Sequence, residues 1–119
     1  MPAFKVNLKI DQGSTFAKHV TWKAGNPAVP VDLTGCTARM QVREKIESPV
    51  KLLNLTTENG GIVLGGAAGT IDYCRLSDHE TAAIIWLTGV YDLEIVFPDG
   101  TVQRKIAGNV TVSPEVTRP

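Results

Sequence analysis

The stretch Ser77 to Gly100, SDHETAAIIWLTGVYDLEIVFPDG, constrains the fold more than any other part of the chain. It opens on a helix signal, closes on a hairpin signal and holds the best strand between them. Ser77 has the side chain of an N-cap, and Glu80 three residues later completes a capping box. Asp78 and Glu80 place negative charge in the first turn, where the helix dipole favours it. The spacing predicts one short helix near residues 78–86, with Gly89 just past its end. In the next eight residues, VYDLEIVF, Tyr91, Leu93, Ile95 and Phe97 alternate with Asp92 and Glu94, the period of a half-buried strand. Pro98-Asp99-Gly100 is turn chemistry: proline presets its own φ, and glycine accepts a positive one. Thr101 to Ile106 then returns as the partner strand. The stretch is a scaffold and carries no catalytic constellation.

The rest of the chain repeats the short-strand pattern. Phe4, Val6, Leu8 and Ile10 alternate with polar residues, and Asp11 to Ser14 is a turn. Thr15 to Lys23 follows, with Phe16, Val20 and Trp22 on one face and Lys18 interrupting it. These two segments predict an N-terminal antiparallel hairpin. Residues 24–35 form a loop rich in proline and glycine, with a short edge strand expected around Val29 to Leu33. Cys36, Ala38, Met40 and Val42 mark another strand, whose outer face carries Arg39 and Arg43. Glu44 to Pro49 is a surface turn. Val50 to Thr56 is a strand with Leu53 and Leu55 inward, and Glu58 to Gly61 is a further turn. Ile62 to Leu64 and Thr70 to Leu76 are strands joined by glycines, with Ile71 and Tyr73 on one face. Gly108 interrupts the last segment, either as a bulge or as a break before a strand around Val110 and Val112. The predicted fold is all-β: one antiparallel β-sandwich domain over residues 1–119, Ig-like or a partly closed barrel. An extended C-terminal tail begins at about residue 113.

Composition narrows the function. Twelve basic residues balance twelve acidic ones, so the chain has no overall electrostatic drive toward nucleic acid or an anionic membrane. No window is long and apolar enough for a membrane helix, and the first ten residues do not read as a secretory signal. Cys36 and Cys74 are expected as reduced, core-facing thiols.

The residue types that carry chemistry have plainer readings. The glycines of residues 60–69 are followed by Thr70-Ile71 and a strand, whereas a phosphate loop needs a helix opening on its glycines. His19, His79, Cys36 and Cys74 lack the paired spacing of a zinc site. Ser77, Asp78 and His79 have the letters of a triad, but neighbours on one helix turn point apart. Asp92 and Glu94 read as the solvent face of a strand. Arg39, Gln41, Arg43, Arg104 and Lys105 make a modest basic face without interleaved aromatics, so it is no platform for single-stranded nucleic acid. Trp22 and Trp86 are expected as core or interface anchors.

Four segments together carry a family resemblance: LKIDQGSTFAKHVTWK, VDLTGCTARMQVR, LNLTTENGGIVLGGAAGTI and LSDHETAAIIWLTGVYDLEIVFPDGTVQRKIAGNVTVSPEVTR. They resemble small structural proteins of tailed bacteriophages and look like the N-terminal domain of baseplate upper proteins. The resemblance runs from Leu8 to Arg118. It implies a compact β-sandwich that attaches a receptor-binding part to the tail. It implies a non-enzymatic virion protein made in the host cytoplasm, forming homo-oligomers and touching other tail, baseplate, fibre or capsid proteins. It brings no catalytic, cofactor-binding or metal residues, and no nucleic acid or membrane partner. The chain ends at about the end of the sandwich, so an adaptor role is expected to use its surface. The termini and the loops at 24–35 and 44–50 are the expected contact segments. Capsid decoration is the alternative of the same kind, and a small carbohydrate-binding module the alternative of another.

Overall fold

Strand β10 (Thr88–Val96) shows why the chain folds as it does. Its inward row of Gly89, Tyr91, Leu93 and Ile95 is buried, and its outward row is half-buried at Val90, Asp92, Glu94 and Val96. Each large apolar side chain taken wholly from water contributes about 1.5–3 kcal/mol, so this alternation fixes which face of the strand meets the core. A computed structural model describes residues 4–117 of the chain. The last two residues of the predicted tail, Arg118 and Pro119, lie outside them.

Eleven strands and one short α-helix make up the described fold: β1 (Phe4–Lys5), β2 (Leu8–Asp11), β3 (Phe16–Thr21), β4 (Lys23–Ala24), β5 (Val29–Pro30), β6 (Thr37–Arg43), β7 (Leu53–Thr56), β8 (Val63–Leu64), β9 (Thr70–Leu76), α1 (Asp78–Ala82), β10 and β11 (Val102–Ser113). The large sheet runs β1-β11-β10-β6-β7, with β2 also on β11; the small sheet runs β3-β9-β8; β4 and β5 form a separate ribbon. Leu8, Ile10, Met40, Val42, Leu93, Ile95, Ile106 and Val110 of the large sheet pack against Ile71, Tyr73, Cys74 and Leu76 of the small one. The molecule is therefore an all-β sandwich with a short helix.

The hairpin of β10 and β11 closes as its turn residues dictate. Gly100 has φ +91°, its N–H donates to the Phe97 carbonyl at 2.9 Å, and Asp99 Oδ1 accepts from Thr101 N–H at 2.8 Å. The capping box also forms: Ser77 Oγ accepts from Glu80 N–H at 3.1 Å, and Glu80 Oε1 accepts from Ser77 N–H at 2.9 Å.

Several expectations are corrected. The helix spans only Asp78–Ala82, not 78–86. After one capped turn the chain meets β-branched Ile84 and Ile85 and Trp86, and Gln12 Nε2 takes the Ile84 carbonyl at 2.9 Å. Gly89, expected past the helix, lies inside β10, where a Cβ would sit 2.9 Å from Val42 Cγ1.

The N-terminal hairpin does not form. β1 and β2 pair parallel with β11, Leu8 opposite Val110, while β3 pairs antiparallel with β9 in the other sheet. The turn at residues 11–14 thus crosses between sheets. Its local chemistry is the same in either arrangement, and the partner is chosen by apolar faces distant in sequence. Two strand spans also shrink: residues 29–33 reduce to Val29–Pro30, and residues 50–56 to Leu53–Thr56.

β11 runs unbroken through Gly108 for 12 residues. Its irregularity lies earlier, where Leu93 faces Ile106 but Glu94 faces Arg104. The extra residue, Lys105, is turned inward and is 4% exposed. It therefore leaves the expected basic face, and its ammonium lies 3.8 Å from the Trp22 ring centroid. Gly108 serves a different purpose: a Cβ there would lie 2.1 Å from the Val6 carbonyl oxygen. β9 carries a similar irregularity, since Phe16 faces Leu76 but Lys18 faces Tyr73. There Cys74 takes φ +53°, and both Tyr73 and Cys74 turn inward.

Candidate interaction surface

Register places four separate segments at one end of the sandwich. Arg43, the last residue of β6, faces Val90; Thr88 faces Thr111; Ser113 faces Asp11. The loops at 12–15 and 44–52, the segment 83–87 and the chain after Ser113 therefore all emerge together. Side-chain bonds tie the 12–15 loop to the helix, to segment 83–87 and to the chain after Ser113. Thr81 Oγ1 donates to the Ser14 carbonyl at 2.8 Å and accepts from Gly13 N–H at 3.0 Å. Gln12 Oε1 accepts from Glu115 N–H at 2.9 Å.

This end exposes aliphatic side chains: Ile85 at 96%, Val116 at 92% and Ile46 at 86%, with Val50 and Leu87 also exposed. A shallow hollow of about 360 Å³ joins Leu52 and Leu53 to Ile84, Ile85 and Trp86. Single exposed aliphatic residues are ordinary on a protein surface, but several concentrated at one end make that end a candidate interaction surface. The expected contact loop at 44–50 belongs to this end. The loop at 24–35 belongs to the opposite one, where Gly35 approaches Pro98.

A second hollow, of about 390 Å³, lies on the outer face of the large sheet. Gln41, Arg43, Asp92, Arg104 and Asn109 surround a floor that is low because Ala107 and Gly108 are small. Burial raises the Asp92 carboxyl above its ordinary range; Glu94 adds to the rise, and Arg104 and Arg43 oppose it. Arg43 donates to the Ser48 carbonyl at 2.6 Å and to Gln41 Oε1 at 2.8 Å, while Arg39 pairs with Glu94 at 2.7 Å. Asp92 and Glu94 thus lie on the outward face as expected. The aromatic lining this hollow, Tyr91, is itself buried.

The other candidates stay apart. His19 bonds Asp72 across β3 and β9, while His79 is exposed on α1. Both cysteines are free; Cys74 is buried and Cys36 half-buried. Burial pushes the Cys74 thiol up to about 12. Among the described residues, no three His, Cys, Asp or Glu side chains converge as a metal site would require. Ser77 is engaged in its cap. Trp22 packs edge-on against Phe97 with ring centroids 6.0 Å apart, and Trp86 is half-buried against the core. The apolar end was not readable as a patch, because its members are scattered from residue 46 to residue 116. No protein-family model matches the chain, and no curated protein matches it.

Proposed function

We propose that this chain is a non-enzymatic virion structural protein of a tailed phage. It acts as an adaptor that joins tail or baseplate proteins to each other or to fibres. The observation that carries this reading is the apolar end built from Ile46, Val50, Ile85, Leu87 and Val116. Large aliphatic side chains held in water gain from being covered, at about 25 cal/mol per Å² of apolar surface. The support is twofold: the surface is of a kind that another protein covers, and the sequence resembles phage attachment domains. Residues Lys45 and Lys51, in the loop that carries Ile46 and Val50, make the reading testable.

Amine-reactive cross-linking of purified particles, read by mass spectrometry, is the experiment. Cross-links from Lys45 or Lys51 to tail, baseplate or fibre proteins are the expected result. Cross-links to the capsid would transfer the role to decoration. Absence of the chain from purified particles would overturn the proposal.

A further inference from the structure

The sandwich has a second feature that the apolar end does not use. β3 is the outermost strand of the small sheet, and β1 with β2 forms one edge of the large sheet. Between these edges runs a groove of about 310 Å³, lined by Phe4, Val20, Trp22, Ile71, Lys105 and Ile106. The Trp22 N–H donates to the Gly69 carbonyl at 2.8 Å. Backbone groups alternate sides along a strand. Val20 therefore also faces β9, and His19 and Thr21 turn their N–H and C=O groups to the open side. Among the described residues no strand pairs with that side.

Charge says what kind of strand fits. Lys5, Lys9, Lys18 and Lys23 all stand on the edge strands or just beyond them, and Lys105 lines the groove. Strands β1 to β4 carry one carboxylate, Asp11, against these lysines, so the basic seam is a local excess. Lys18 lies in the same inward-facing row as Phe16 and Val20, and it is half-buried. An inward charge on an edge strand discourages indiscriminate pairing. It also selects a partner that brings a carboxylate to meet it.

We infer that the β3 edge is a strand-addition site for an extended segment of a partner protein, one that alternates aliphatic and acidic residues. Main-chain bonds to His19 and Thr21 hold such a segment, aliphatic side chains enter the groove, and acidic ones meet the lysines. The inference rests on the adaptor reading only for its choice of a protein as partner.

The test is a titration of the isotope-labelled full chain with a synthetic eight-residue peptide of alternating Val and Glu, followed by amide shifts and hydrogen exchange. The expected result is slowed exchange at the His19 and Thr21 amides, with shifts at Trp22. A Val/Lys peptide of the same length should bind at least about tenfold more weakly, a difference of about 1.4 kcal/mol. Thr21→Pro removes an outward N–H and leaves the bonds to β9 in place, as edge strands tolerate; it should weaken binding by a similar factor. Lys18→Glu, a second variant that alters no backbone group, should also weaken the Val/Glu peptide. Equal binding of both peptides would overturn the inference, as would no added protection at His19 and Thr21. Protection that grows with protein concentration alone would overturn it in favour of a second copy. Because no particle enters this titration, its failure is separable from failure of the adaptor reading.

Discussion

Two phenols meet inside the core, and their hydrogen bonds run in one direction. Tyr91 Oη donates to the Val6 carbonyl at 2.6 Å, and Tyr73 Oη lies 3.1 Å from Tyr91 Oη and donates to it. The pair joins the small sheet to the large one. Tyr91→Phe leaves the Val6 carbonyl without that donor and Tyr73 without its acceptor. It is expected to cost about 1–3 kcal/mol in urea unfolding. Tyr73→Phe should cost less, because Tyr91 keeps its bond to Val6. Burial, and then the neighbouring Tyr73, raises the Tyr91 phenol above its ordinary value. A raised folded-state pKa means stability that is present below the unfolded value and lost above it. Stability should therefore fall above about pH 10, and fall less in Tyr91→Phe. Asp92 follows the same sign at the other end of the scale. Its carboxyl is raised chiefly by burial, so the ionised form is the less favourable one in the fold. Asp92→Asn should raise the melting temperature at pH 7, and the gain should shrink as the pH falls below the ordinary carboxylate range.

At the scale of elements, the N-terminal edge depends on a glycine near the other end of the sequence. The chain between β1 and β2 passes over Gly108, whose missing Cβ leaves room for the Val6 carbonyl. That carbonyl is the one Tyr91 bonds, so the break between β1 and β2 and the core hydrogen bond are one arrangement. Gly108→Ala forces backbone against side chain and should destabilise by about 1–3 kcal/mol, the range for overpacking. Amide exchange should show the loss first at Val6, whose N–H donates to the Ala107 carbonyl at 2.9 Å. The helix is a smaller element with a simpler dependence. Ser77→Ala removes its cap and should cost about 1 kcal/mol in the same unfolding assay.

At the scale of the whole molecule, two surfaces stand out, one marked by lysines and one by exposed aliphatic residues. Lys5, Lys9, Lys18, Lys23 and Lys105 stand on or beside the seam between the sheets, whereas Lys45 and Lys51 share the end where Ile46, Val50, Ile85, Leu87 and Val116 are exposed. Ile85 is the most exposed of these at 96%. Ile85→Asp should therefore leave the melting temperature nearly unchanged, within about 0.5 kcal/mol in stability. It should abolish any association seen by light scattering across a concentration series, and any cross-links from Lys45 or Lys51. A large drop in melting temperature would show instead that Ile85 supports the fold.

Local patterns and tertiary geometry divided this protein between them. The capping box at Ser77 and Glu80, the turn at Pro98 to Gly100, and the alternation of residues 37–43 and 90–97 all formed where their residues stand. Each depends on neighbours within a few positions: a side chain reaching the next turn, a φ preset by proline, or a period of two. The sequence alone therefore determined an all-β sandwich and most of its inward faces. Strand partners were not written locally. Asp11 to Ser14 is a good turn whether the chain returns in its own sheet or crosses to the other. Only the packed faces of β11 and β9 decide between them. The inward turn of Lys105 depends on an extra residue in register with β10, which no periodicity reveals. The two candidate surfaces are likewise products of folding. The segments carrying Ile46, Ile85 and Val116 emerge at one end, and those carrying Lys5 and Lys18 along one seam, because sheet topology brings distant segments together after each has satisfied its own local rules.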